Sequence, residues 1–136
     1  HPNTLLVAYN AQFDLCLLYY FLARLDLADA LKGVKMLDAM TVYKDRREYP
    51  HKLQSAIDAY GVPTQNTHRA VDDAKAALEV LEAMGRELDD LMQYVNLFGY
   101  NPKYGVSGPR ISSITYLPQG RFTGEKLYQQ KKPALL

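Results

Sequence analysis

Residues 5–9 are Leu5, Leu6, Val7, Ala8 and Tyr9, and this unbroken apolar run constrains the fold more than any other stretch. A strand with one face in water alternates polar and apolar side chains, whereas a continuous run suits a strand covered on both faces, as in a parallel sheet. Asn10 interrupts it. Phe13, Leu17, Leu18, Phe21, Leu22 and Leu25 then recur at helical spacing, so residues 13–25 read as a helix apolar over most of its surface. Such a helix is expected to be buried against a sheet. A short helix over residues 26–32 should end at Gly33. Residues 34–38 are the second strand candidate, and strand, helix, strand makes a parallel, right-handed βαβ unit.

The chain continues with a helix start at residues 39–44 and a charged loop at 45–51. A helix over 52–60 carries Leu53, Ala56, Ile57 and Tyr60 on one face and stops at Gly61 and Pro63. After a polar loop with Thr67 as its candidate N-cap, a helix over residues 70–87 shows Val71, Ala74, Leu78, Leu81 and Met84 as its apolar stripe. A further helix is expected over 89–98, closed by Gly99. Residues 111–117 read as a strand, with a turn at 118–120 and residues 121–123 pairing back as a hairpin. The tail, residues 126–136, is expected to be mobile.

Composition narrows the class. At 136 residues and net charge +1, this is one domain at most, with no global field to draw in nucleic acid, so any such binding must come from local patches. The single cysteine, Cys16, excludes an internal disulfide and suits a reducing cytosol, so a cytoplasmic setting is expected. Cys16 reads as a core residue. The longest apolar run, residues 15–23, is too short to span a bilayer. The chain opens on His1, Pro2, Asn3 and Thr4 without a methionine and is already in a strand by Leu5, so it is expected to be a segment of a longer protein.

Two stretches carry chemistry. In Tyr9, Asn10, Ala11, Gln12, Phe13, Asp14, an aspartate falls in the first turn of a buried-type helix, at the end of a strand. Ligands of open α/β sheets bind at such strand ends, and the helix dipole favours the negative charge. In His68, Arg69, Ala70, Val71, Asp72, Asp73, Ala74, a histidine precedes a helix whose first turn holds an aspartate. Metal-assisted phosphodiester hydrolysis needs carboxylates for two divalent ions about 4 Å apart and a base to take a proton from water. A histidine titrates near neutrality and suits the second role. Taken singly, each aspartate is an ordinary helix-dipole partner and the histidine an ordinary loop residue; their conjunction on strand, helix and helix is what points to a site.

These two stretches resemble the second and third motifs of the DnaQ-like, DEDDh group of 3′–5′ exonucleases, the family of the proofreading epsilon subunit of bacterial DNA polymerase III. The likeness covers residues 5 to about 85. It implies an α/β, ribonuclease H-like exonuclease fold, metal ligation by Asp14 and Asp73 to Mg²⁺ or Mn²⁺, and His68 as general base. Asp73, rather than Asp72, matches by spacing. Asn10 matches a position near the nucleotide and Phe13 a core anchor; Tyr9 stands where many members have histidine. The family's first motif, an Asp-x-Glu supplying two further carboxylates, has no counterpart, because no acidic residue precedes Asp14. The fold is therefore expected to be incomplete, lacking its N-terminal strands and carrying a C-terminal helix and hairpin. Residues 1–88 read as the C-terminal part of an exonuclease domain and residues 89–136 as an extension with no assigned role.

Arg69, beside His68, is the expected substrate-binding cation; Arg46, Arg47 and Lys52 either neutralise phosphates or form a solvated charged loop. The tyrosines at positions 94, 100, 104, 116 and 128 either pack or stack on bases. The implied substrate is a single-stranded nucleic acid 3′ end and the implied partner a DNA polymerase. The open edge of residues 5–9 is expected to pair with a second copy or an N-terminal piece. Two readings from other classes stay open: a non-catalytic nucleic-acid-binding or polymerase-associated module that keeps the fold, and a structural fragment inactive in isolation.

Overall fold

A computed structural model describes residues 4–31 and 33–130. Strand β1 (Leu5–Ala8) pairs in parallel with β2 (Lys35–Asp38), Leu5 opposite Lys35 and Ala8 opposite Asp38. Helix α1 (Ala11–Arg24) joins them, so the expected parallel βαβ arrangement is present. It is followed by α2 (Ala39–Lys44), α3 (Leu53–Tyr60) and α4 (Ala70–Glu87). Strands β3 (Leu97–Tyr100) and β4 (Thr115–Pro118) form a second parallel pair.

The two pairs are stitched through one side chain. Asn96 takes a left-handed backbone (φ 57°), its side-chain oxygen accepts from the Met36 amide at 2.8 Å, and its own amide donates to the Met36 carbonyl at 2.7 Å. Side chains alternate across a strand, so β2 and β3 each feed two cores. Leu37 and Leu97 pack with α2, α3 and α4 around Val42, Ile57, Val80 and Met84. Met36 and Phe98 pack on the other face with Ala11, Leu15, Ile111 and Ile114.

Several expectations are corrected. Helix α1 is not buried over most of its surface: only Ala11 and Leu15 are buried, while Phe13 is 63% and Phe21 61% exposed. Among the described residues, nothing covers its outer apolar side. Leu5 and Leu6 are likewise 37% exposed, because among the described residues β1 has a strand on one edge only. The helix expected over residues 26–32 is a 3₁₀ turn, Ala28–Leu31; Lys32 lies outside the described residues. The buried stripe of α4 is Ala76, Ala77, Val80, Leu81 and Met84, and Val71 is 79% exposed. Alanines take the face because they let α4 lie close to α3 and α2.

The helix expected over 89–98 shrinks to a 3₁₀ turn, Leu91–Tyr94, since Asn96 breaks it and Leu97 and Phe98 are needed on opposite faces of β3. There is no hairpin at 121–123. Strand β4 instead runs parallel to β3, reached by the long connection of residues 101–114. Nor is the described part of the tail loose: Leu127 is buried, its amide donates to Asp45 at 2.7 Å, and Tyr128 donates to Asp90 at 2.8 Å. Residues 131–136 lie outside the described residues.

Buried polar groups tie residues 89–130 to the rest. Asp45 accepts from Tyr94 (2.6 Å), Gln119 (3.0 Å) and the Leu127 amide. Arg46 donates to Asp90 at 2.6 Å, Glu87 at 2.9 Å and the Met84 carbonyl at 2.9 Å. Buried and bonded through both terminal nitrogens, Arg46 is not a phosphate ligand. Arg47 is also committed, to Glu87 at 2.8 Å and to the Tyr60 ring.

Two outcomes follow from this packing. Burial alone would raise the Glu87 carboxyl, but hydrogen bonds from Arg47, Tyr60 and Arg46 hold it down to about 2, from an ordinary 4.5. A depressed carboxylate contributes stability above its unfolded value and loses it as pH falls through the folded one. Glu87→Gln should therefore cost about 1 kcal/mol at pH 7 and flatten the fall in stability on acidification below 4.5, read by urea melts across pH. Parallel acid limbs would show that Glu87 contributes nothing there. Separately, a Cβ on Gly99 would overlap Gln119 Oε1 and meet Gln119 Cβ at 2.8 Å. Gly99→Ala should cost about 1–3 kcal/mol, measured as a lowered melting temperature.

Candidate active site

The first turn of α1, the loop ahead of α4 and the first turn of α4 meet across β1. Between them lies a cavity of about 600 Å³ whose lining includes Asp14, His68 and Asp73. Asp14 is exposed, and partial burial raises its carboxyl above the ordinary value. Asp73 is half-buried. Both carboxylates sit where the positive end of a helix dipole favours them. His68 is exposed and has φ 63°. That left-handed conformation is uncommon outside glycine, though histidine enters it more readily than bulkier residues.

Asp72 and Asp73 are separated by what they touch. Asp72 accepts the Thr67 hydroxyl at 2.7 Å and so belongs to the loop. Thr67 is not the cap of α4, because that position is Arg69. Asp73 instead faces the Asn66 amide, whose nitrogen, turned toward it, lies 2.7 and 3.1 Å from the carboxylate oxygens.

The other expected residues lie elsewhere. Asn10 adopts φ 65° and lines the two neighbouring grooves rather than this cavity. Phe13 is no core anchor; it is exposed beside a tyrosine-lined groove. Arg69 is exposed and does not line the cavity. Asn66 went unrecognised in the sequence, and Tyr9 is marked there only as standing where many family members have histidine. Asn66 looks like any polar loop residue. Tyr9, whose hydroxyl donates to the His51 carbonyl, looks like the end of a strand.

The turn that presents Asp14 is set by Asp38, at the end of β2. The buried Asp38 accepts from the amides of Asn10 (2.9 Å) and Met40 (3.0 Å) and from the Thr41 hydroxyl (3.0 Å). Burial raises its carboxyl, against the lowering effect of those bonds.

As to a metal, Asp14 and Asp73 offer two carboxylates to one cavity. Among the described residues no group of three or more His, Cys, Asp or Glu is placed to hold an ion. Two carboxylates are too few to fix a pair of divalent cations against their mutual repulsion.

Fold and cavity together define an α/β domain with an acidic, histidine-bearing cleft at the end of its parallel strands. The sequence model of the family described as Exonuclease matches residues 1–81, and this chain belongs to that family. It is also 35% identical over 106 residues to the DNA polymerase III PolC-type of Clostridium perfringens (strain 13 / Type A). That alignment takes in 75% of this chain but only 7% of that protein's length. No helix among the described residues is long and apolar enough to cross a membrane.

Asp38→Ala should cost about 2–4 kcal/mol, because it strands buried donors at the start of two helices. Asp38→Asn should be milder. A carboxyl raised by folding contributes stability below its unfolded value and loses it as pH climbs through the raised one. The stability gap between the native protein and Asp38→Asn should therefore narrow as pH rises, checked by denaturant melts across a series of pH values.

Proposed function

We propose that this chain is part of a 3′–5′ exonuclease that releases nucleotides from single-stranded 3′ ends, in DNA proofreading or repair. The observation that carries the reading is that Asp14, His68 and Asp73, from two separate stretches, line one cavity. Membership of the exonuclease family and likeness to a polymerase III of PolC type support it. Asp14 and Asp73 are the proposed ligands of Mg²⁺ or Mn²⁺, together with donors other than those described. His68 is the base that takes the proton of the attacking water. Asn66 holds Asp73 in place. Residues 1–88 carry the nuclease and residues 89–136 extend it. A DNA polymerase is the proposed partner, and a second copy or an N-terminal piece is proposed to cover the open β1 edge.

Among the described residues Asp14 and Asp73 have no third acidic donor beside them, which suits one other reading, a non-catalytic nucleic-acid-binding module that keeps the fold. Digestion of a 5′-labelled single strand by the full-length protein in Mn²⁺ separates the two. The nuclease reading expects a ladder shortening from the 3′ end, lost in Asp14→Asn and in Asp73→Asn. His68→Gln should lower turnover by about 10²–10⁴-fold. Asp72→Asn should be mild. Binding without any digestion would favour the module, and an undiminished rate in His68→Gln would remove that residue from the chemistry.

A further inference from the structure

A larger groove, of about 930 Å³, opens beside the cavity, and Tyr9 and Leu53 line both. One wall is the loop and helix start at His51, Lys52 and Leu53. The facing wall is the segment 119–122, which lies outside the residues matched by the exonuclease family. Lys44, at the end of α2, lines the groove between them.

The groove is cationic in an uncompensated way. Lys44, Lys52 and Arg121 line it against a single carboxylate, Glu48. Among the described residues none of the three cations has an ion-pair partner, whereas Arg46 and Arg47 are both locked to Glu87. Half-buried Lys44 pays a desolvation cost for its charge, only partly offset by Asp38. Tyr49, also lining the groove, is 86% exposed, and Phe122 offers a second aromatic surface. Unpaired cations with exposed aromatic rings along a trough are the pattern that holds a single strand, the cations on phosphates and the rings on bases.

The cationic wall is firmly mounted. Gln119 donates through its side chain to the Thr41 carbonyl at 2.9 Å and to Asp45 at 3.0 Å, and its amide donates to the Tyr100 carbonyl at 2.7 Å. Arg121 thus stands two residues from a buried anchor and lines the same groove as Lys52.

We infer that this groove binds the phosphodiester backbone of a single-stranded nucleic acid upstream of the end held in the Asp14, His68 and Asp73 cavity, with residues 119–122 supplying one of its walls. The direction of the strand rests on the exonuclease reading; the binding itself does not. Nucleotides beyond the cavity enter the groove past Tyr9 and Leu53. Short oligonucleotides do not reach Arg121, and longer ones do.

The test is fluorescence anisotropy of 5′-fluorescein oligothymidylates of about 2 and about 12 nucleotides on the full-length protein in EDTA, where hydrolysis plays no part. Arg121→Gln and Lys52→Gln, both at exposed positions, should each weaken binding of the longer strand about 3–10-fold. Each should also reduce the salt slope by about 0.7 per lost phosphate contact, while leaving binding of the shorter strand and the melting temperature unchanged. Native affinity and salt slope in both variants overturns the inference, as does equally tight binding of a polyglutamate of matched charge. Length-dependent losses in a protein that digests nothing leave the groove standing and remove the exonuclease reading. Digestion with undisturbed binding in both variants does the reverse.

Discussion

The buried carboxylate of Asp38 is the contact on which this architecture turns. It ends β2, starts α2, and reaches across to hold the left-handed turn at Asn10 from which α1 departs. Removing a carboxylate from water is costly, and only donors placed by the fold offset the loss. Here those donors are the free amides at two helix starts, groups that would otherwise be buried without partners. The Thr41 hydroxyl extends the set, bonding Asp38 on one side and accepting from the Gly99 amide on the other. A single side chain therefore relates the position of Asp14 to that of β3, although the two belong to different parts of the chain.

The same logic recurs where the last third of the chain docks. Asp45, Arg46, Asp90 and Gln119 are all buried and bonded to one another's segments. Such groups specify one arrangement, because any shift leaves a charge or amide stranded. Leu117 and Leu127 add apolar contact with α2 and α4 in the shared core. The C-terminal segment is thereby a fixed part of the surface beside the cavity, which is what lets residues 119–122 act as a wall.

Much of this was legible in the sequence. The parallel pair β1 and β2, the face of α3, and the extent of α4 followed from hydrophobic period and from glycine and cap signals. Two spaced motifs pointed to Asp14, His68 and Asp73, and the three line one cavity. What escaped was decided at long range. Nothing local marks Asn96 as the residue that completes the edge of β2. The alanines of α4 outrank Val71 and Leu78 for the interior only because neighbouring helices come so close. Helix α1 shows the converse: its pattern reads as buried, yet its outer face has no cover among the described residues. Asn66 carries no signature of its own, and neither does the bond of Tyr9 to His51, since both come from where the fold brings the residues together.

The stitch between Met36 and Asn96 also has a temporal side. These partners are 60 positions apart, so during translation β2 emerges long before the residue that satisfies its edge. At about 5–20 residues per second, the ribosome leaves that edge and the apolar flank of α1 unattended for roughly 3–12 s. A nascent chain of this order leaves that edge open longer than one whose strands are joined by tight hairpins, where the partner follows within a few residues.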